Sequence, residues 1–284
     1  MKQFYVIANP QKEGTEQAAR VIASYLESRG AVCSGSTQIM DESGQKQGYT
    51  DPAMIPEKTE CVITLGGDGT LIQAARNLVD LELPLIGVNM GHLGYLTQVS
   101  QSESVFPMLD SLLENRFTIE RRMMLEGRVA GPSGVRTGIA LNDIVLTRKD
   151  VLQVLNFQVY LNGVKLNEYM ADGIIAATPT GSTAYNLSAG GPIVAPGAEL
   201  MVLTPISSHS LNSRSIVFSA QDSVSIRPLD LESKQQTAVF DGDDVLEILP
   251  GDTLEIRRAS RYTRLIQLDN VPFLENLRNK MTRV

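Results

Sequence analysis

Between Cys61 and Val79 the chain passes from an apolar run, Cys61-Val62-Ile63-Thr64-Leu65, through Gly66-Gly67-Asp68-Gly69-Thr70 into a helical run from Leu71 to Val79. Buried strand, glycine turn and helix in that order commit the region to a strand-turn-helix unit, with the turn at the strand's C-terminal end. The glycines allow positive φ and close backbone approach, so the turn can fold its N–H groups around an anion. The following helix adds the positive end of its dipole at the same place. Phosphate is the expected ligand. A carboxylate inside a phosphate cradle is anomalous, because it repels the ligand. Asp68 fits there if it holds Mg²⁺ or takes a proton from a hydroxyl that attacks the phosphate. The plainer alternative is a tight turn in which Asp68 caps the helix. The Walker Lys-Ser/Thr ending is missing and GxGxxG is absent, which speaks against P-loop and hydride-transfer chemistry.

The rest of the first hundred residues repeats this alternation. Phe4 to Ala8 reads as a strand, and the Asn9-Pro10 turn leads into a helix over Gly14 to Arg29, with Ala18, Val21, Ile22, Tyr25 and Leu26 at helical spacing and Gly30 as its stop. Asp41 to Glu60 is polar and reads as a surface loop. Leu85 to Asn89 is a further strand, followed by a second glycine turn from Gly91 to Tyr95 and an amphipathic stretch with Val105, Leu109 and Leu112 on one face. Such alternation predicts a parallel α/β sheet with ligands at the strand ends. From about Glu120 short runs of Val and Ile alternate with polar residues: Ile139 to Arg148, Phe157 to Leu161, Ile174 to Ala177, Ile216 to Phe218, Val224 to Arg227 and Thr253 to Arg257. Asn162-Gly163 is a hairpin signal between two of these strands. The expectation is an α/β N-terminal domain, residues 1–119, joined by a C-terminal helix within 268–284 that packs back on it, and a mainly-β domain over 120–267. Helical spacing of Phe273, Leu274, Leu277 and Met281 marks that last helix.

At 284 residues the chain can bury two cores. A net charge of −7 without a Lys/Arg run argues against nucleic acid as partner. No apolar stretch reaches the ~20 residues that span a bilayer, and the N-terminus enters a strand without a leader, so no membrane partner is expected. Cys33 and Cys61 lack metal-ligand spacing and a disulfide framework, which suits a reducing cytoplasm.

Two further stretches carry chemistry. Asp172 to Val194 leads from a buried strand into a loop holding Thr178, Thr180, Ser182, Thr183 and Ser188, then a diglycine. These hydroxyls can bond a polar heterocycle and its sugars, and Tyr185 can stack on a ring or donate to a phosphate. Helix caps and turns use the same residue types, but one cap does not need five. Asn142-Asp143 reads as closing the first strand of the β domain; an amide and a carboxylate side by side can grip vicinal ribose hydroxyls, and are equally common as plain turn residues. His92 and His209 have no companion set for metal or for a Ser-His-Asp triad.

Together, the Gly66–Thr70 turn, Asn142-Asp143 and the Thr178 to Val194 run resemble the NAD kinase family. Gly87-Val88-Asn89 with Gly91 to Leu96, and Leu203-Thr204-Pro205-Ile206 to Arg214, resemble it as well. The resemblance implies transfer of the γ-phosphoryl of ATP, with Mg²⁺ or another divalent ion, to the 2′-hydroxyl of the adenosine ribose of NAD. It makes Asp68 the general base and Gly66, Gly67, Gly69 and Thr70 the phosphate turn. It puts Tyr95 beside the adenine, Asn142 and Asp143 on the ribose hydroxyls, and Thr183, Ala184, Tyr185, Asn186, Leu187 and Ser188 along the dinucleotide. Asp172 is implied to reach a neighbouring subunit's nicotinamide in a homo-oligomer, commonly a tetramer. Departures are Met170 where some members carry a basic residue and Asp243 where many carry Gln, both at candidate dinucleotide contacts, and Ser215 where Pro is common. The glycine turn alone is shared with lipid kinases of the diacylglycerol and sphingosine type, which remain an alternative, as does a dinucleotide sensor without catalysis. A lipid kinase needs an apolar acyl pocket, whereas the loop here is rich in hydroxyls.

Overall fold

The computed structural model describes the chain except residues 37–49, 92–93, 101–103, 150–153, 210–212, 230–234, 269–276 and 279–284. It divides into two compact units, Met1–Arg121 with Thr263–Val284, and Arg122–Tyr262.

The first unit contains β1 (Gln3–Ala8), α1 (Thr15–Ser28), β2 (Val32–Ser36), β3 (Cys61–Gly66), α2 (Asp68–Asn77), β4 (Pro84–Asn89), β5 (Val99–Ser100) and α3 (Phe106–Leu113). β1 lies between β2 and β3, β3 continues to β4, and β4 to β5, all parallel. Ala19, Ile22 and Leu26 line the inner face of α1 and Leu109 and Leu112 that of α3; they pack on Phe4, Val6, Ile63, Leu65, Ile86 and Val88 from the strands. β1 and β3 are apolar almost throughout because the parallel sheet is covered on both faces. Gly14 and Gly30 bound α1 with φ of 78° and 75°, the left-handed region that an L side chain resists. β1, β3 and β4 all end at one edge, and Asn9, Gly67 and Met90 therefore follow each other across it: Asn9 N–H donates to Leu65 O (2.9 Å) and Met90 N–H to Gly66 O (2.7 Å).

The second unit contains most of β6 (Thr118–Gly131), then β7 (Gly134–Ala140), β8 (Asp143–Arg148), β9 (Leu155–Leu161), β10 (Val164–Ala171), β11 (Gly173–Ala177), the short helix α4 (Tyr185–Ser188), β12 (Leu200–Ile206), β13 (Ile216–Ser219), β14 (Val224–Pro228), β15 (Gln236–Phe240), β16 (Asp244–Ile248) and the greater part of β17 (Thr253–Gln267). One antiparallel set runs β10-β9-β14-β17, with β6 joining β17 and β7; the other runs β13-β12-β11-β8-β15-β16. Leu155, Phe157, Val159 and Ile226 from the first set share a core with Ile144, Leu146, Ile174, Leu203 and Phe240 from the second. β9 alternates buried and half-buried positions, the period-2 signature that the sequence shows. Asn162 and Gly163 take φ of 50° and 81°, the type I′ hairpin predicted between β9 and β10.

β11 is buried along its whole length, because Val145, Ile175, Ala177 and Val202 form a second cluster on the outer face of its sheet, under Ala189 and Val194. The hydroxyl-rich loop thus folds back over the sheet. Antiparallel register puts Asp143 opposite Ala177 and Ile144 opposite Phe240, so the start of β8 and the ends of β11 and β15 share one edge.

Two sequence expectations differ. The helix after the glycine turn begins at Asp68, three residues before Leu71, because the Asp68 carboxylate finds backbone donors that fix it in the first turn. Asn142-Asp143 does not close a strand: β7 ends at Ala140 and Asp143 opens β8, the break being held by bonds from distant residues described below. The second domain is mainly β as expected, with the short helix α4 within it. The expected C-terminal helix falls outside the described residues except for Leu277 and Arg278, which are helical.

Candidate active site

In the first unit the site is built around Asp68, half-buried at the head of α2. Its Oδ2 accepts from Tyr95 N–H at 2.5 Å; its Oδ1 accepts from Leu96 N–H (3.2 Å), Thr97 N–H (3.1 Å) and the Thr97 hydroxyl (3.1 Å). Thr97 is itself fixed, its Oγ1 accepting from Asn89 Nδ2 (3.0 Å) and Gly94 N–H (3.2 Å). A carboxylate offers about four acceptor positions, so Oδ1 is saturated and Oδ2 keeps one position open. A Cβ on Gly94 would sit 1.8 Å from Asp68 Oδ1, so only glycine lets this turn close on the carboxylate. Asp68 joins the turn after β3 to the turn after β4, and with it fixes the backbone of Tyr95.

The glycines of the first turn divide by purpose. A Cβ on Gly66 would stand 2.1 Å from Thr70 Oγ1, which receives Asn9 Nδ2 at 3.0 Å; Gly66 is required by packing. A Cβ on Gly67 or Gly69 would meet nothing within 4 Å, and Gly67 has an ordinary extended φ of −119°. Neither glycine is needed for the fold. Space is left over the first N–H groups of α2, which have no intrahelical acceptor, and this is what a phosphate requires.

In the second unit Asn142 and Asp143 are held from both sides. Thr178 N–H donates to Asn142 O (2.8 Å) and the Thr178 hydroxyl to Leu141 O (2.6 Å). Opposite, the Asp241 carboxylate accepts from Leu141 N–H (2.9 Å), Asn142 N–H (2.7 Å) and Asp143 N–H (3.2 Å). Asp143 is 4% exposed. Burial, and after it the negative charge of Asp241, push its carboxyl up to about 7.

The loop residues separate into supports and exposed groups. Asn186 is fully buried: its Nδ2 donates to Ser182 O (3.1 Å) and Pro192 O (3.0 Å), and its Oδ1 accepts from the Thr204 hydroxyl (2.7 Å), which also bonds Ser215 Oγ (2.9 Å). A Cβ on Gly191 would lie 2.0 Å from Asn186 Oδ1, which ties the diglycine to this amide. Ser182 is buried against Pro179 O and Val194 N–H. Tyr185, Leu187 and Ser188 are exposed, and Thr183 and Ala184 are half-buried. Asp172 accepts from Arg148 Nη1 at 2.6 Å. Met170 and Asp243 are exposed; the Met170 carbonyl accepts from His209 N–H. His92 lies outside the described residues. Burial raises both thiols, Cys33 to about 11, so neither is a ready nucleophile.

Among the described residues no three His, Cys, Asp or Glu side chains gather around one point. They do not fit an all-protein metal cage. Mg²⁺ carried on ATP phosphates needs none. No helix among these residues is long and apolar enough to cross a membrane.

A carboxylate and open glycines at a helix start in the first unit, and an amide-acid pair beside a hydroxyl loop in the second, are each groups that a phosphotransferase uses. Family models agree: residues 4–117 match the ATP-NAD kinase N-terminal domain and residues 141–268 its C-terminal domain. An NAD kinase of Lachnospira eligens is 43% identical over 99% of this chain and 100% of its own, and one of Agathobacter rectalis is 43% identical over 99% of each. In fold the chain resembles yeast NADH kinase complexed with NADH (TM-score 0.85, 22% identity, 100% of this chain and 88% of that one). It also resembles an NAD kinase from Archaeoglobus fulgidus in complex with ATP (TM-score 0.76, 22% identity, 100% of both chains). The chain belongs to the NAD kinase family. The lipid-kinase and sensor alternatives fall with that assignment.

Proposed function

We propose that Asp68 Oδ2 accepts the proton of the adenosine-ribose 2′-hydroxyl in the ATP-dependent phosphorylation of NAD to NADP. The hydroxyl oxygen bonds the γ-phosphorus, the bond from that phosphorus to the β,γ-bridging oxygen breaks, ADP leaves, and the proton passes to the carboxylate. The observation that carries the reading is the four-donor fixation of Asp68 beside glycines that face open space. A fixed carboxylate with one open acceptor position is a positioned base rather than a flexible surface charge. Asn142 and Asp143 take the ribose hydroxyls, and Tyr95, Thr183, Ala184, Tyr185, Leu187 and Ser188 line the dinucleotide. Asn186 supports that loop from beneath. Asp172, Met170 and Asp243 are peripheral contacts, Asp172 toward a neighbouring subunit.

The donor is the Mg²⁺ complex of ATP, whose metal offsets phosphate charge when bound. The backbone N–H groups of the Gly67–Gly69 segment take the phosphates. The same reading makes the enzyme a cytoplasmic homo-oligomer, a tetramer in the family's pattern. Val164, Leu166 and Met170, exposed along β10 at the end of its sheet, suit such contacts.

Gly67→Ala and Gly69→Ala test the phosphate turn. Neither new methyl meets a protein atom, so thermal melting stays within about 1 kcal/mol of the parent, while KM for ATP rises by roughly tenfold or more through the lost approach. An unchanged KM for ATP in both variants contradicts the phosphate turn.

A further inference from the structure

Asp241 has no part in the chemistry above, yet it is placed against the acid that does. It sits in the type I′ turn between β15 and β16, with φ of 51° followed by Gly242 at 74°. A non-glycine residue in the left-handed region is uncommon, and Asp tolerates it better than most. There its carboxylate receives three consecutive N–H groups of the corner that presents Asn142 and Asp143. In return Asp241 N–H donates to Asp143 O at 3.0 Å. A second negative charge is thereby held beside a carboxyl that is 4% exposed.

The two strands paired with β8 carry no cation. β11 reads Gly-Ile-Ile-Ala-Ala and β15 reads Gln-Thr-Ala-Val-Phe. The loop from Thr178 to Ser188 holds Tyr185 as its one titratable side chain, and the turn after β15 with the start of β16 adds Asp243 and Asp244 to Asp241. Arg122 is the basic group at that loop, its Nη1 donating to Thr180 Oγ1 at 3.3 Å, but it is not among the causes that set the Asp143 carboxyl, which are burial and then Asp241.

We propose that Asp241 is the positioning residue of the ribose grip, and that through its charge it couples dinucleotide binding to loss of a proton from Asp143. The inference rests on the reading of Asn142 and Asp143 as the ribose contact. A ribose hydroxyl donates best to an ionised carboxylate. Bound ligand therefore stabilises the deprotonated acid, and binding at lower pH must first displace the proton. For an acid raised to about 7, NAD affinity strengthens as pH climbs through that value and levels off above it. The site releases a proton as it fills.

The test is calorimetric titration of NAD into the full-length protein at pH 6 and pH 8, for the parent, Asp241→Asn and Asp143→Asn. The parent binds about tenfold more weakly at pH 6 than at pH 8. Asp241→Asn keeps the left-handed turn and loses the charge, while its NH₂ faces one of the backbone N–H groups that the carboxylate accepts; affinity falls at both pH values, and the ratio between them drops to about threefold or less because Asp143 then ionises at lower pH. Asp143→Asn binds weakly with no pH dependence. A uniform weakening of Asp241→Asn at both pH values, with the tenfold ratio kept, reduces Asp241 to a structural brace and overturns the coupling. So does a pH limb that survives in Asp143→Asn. If Asp241→Asn does not fold, Asp241→Ser, which retains an acceptor without charge, is read the same way. Parent protein that binds NAD equally at both pH values sinks the inference and leaves the ribose contact standing; parent protein that binds no NAD at all removes both.

Discussion

Asp68→Asn lowers turnover with NAD and ATP by about 10²- to 10⁴-fold, the usual worth of a positioned base. The loss is chemical in origin but not purely so. The amide keeps one acceptor oxygen, which can still serve Leu96 and Thr97, while its NH₂ faces the Tyr95 N–H that Oδ2 accepts at 2.5 Å. Two donors then confront each other, and the Tyr95 turn loosens. KM for NAD therefore rises modestly, by about two- to tenfold, on top of the fall in kcat. Steady-state kinetics with the two substrates varied separately resolve the effects. A variant with near-parental kcat takes Asp68 out of the mechanism.

Gly94→Ala is expected to cost nearly as much without touching an ionisable group. Its methyl would come within 1.8 Å of Asp68 Oδ1, 2.1 Å of Cγ and 2.3 Å of Oδ2. The carboxylate is short and held by four donors, so it cannot move aside without giving up several of them. Overpacking of this kind costs about 1–3 kcal/mol of stability. Displacing the base by an ångström can cost about 10²-fold in rate. The expected result is a folded protein with a lowered melting temperature and a kcat at least about a hundredfold down. Parental turnover in Gly94→Ala shows that Asp68 need not occupy the position described.

How much of this was legible beforehand depends on the range of each signal. Strand-turn-helix order around Gly66, the helical spacing of Ile22 and Leu26, and the Asn162-Gly163 hairpin are local patterns, and all are present in the fold. The bonds that organise the sites are long-range. Asp68 meets Tyr95 to Thr97 across 27 to 29 residues, and Asp241 meets Leu141 to Asp143 across about a hundred. No periodicity marks Thr97 as the hydroxyl between Asn89 and Asp68. Asp241-Gly242 forms the turn between β15 and β16, and nothing in the dipeptide announces a carboxylate turned back on β8. Asn142-Asp143 reads as a strand end rather than a strand start because the break after Ala140 contains neither glycine nor proline; Thr178 and Asp241 make the corner instead. In sequence Asn186 reads as one more polar group along the dinucleotide. Its burial beneath the loop depends on Thr204, 18 residues on.

The central claim is tested most directly by the stoichiometry of the parent enzyme's products. With NAD and the Mg²⁺ complex of ATP, NADP is measured by an NADP-specific dehydrogenase and ADP by a coupled pyruvate kinase assay, each on quenched samples of one reaction. The account predicts equal amounts of NADP and ADP at every time point, with the new phosphate on the 2′-hydroxyl of the adenosine ribose. ADP formed without NADP, or phosphate found on any other hydroxyl, contradicts it.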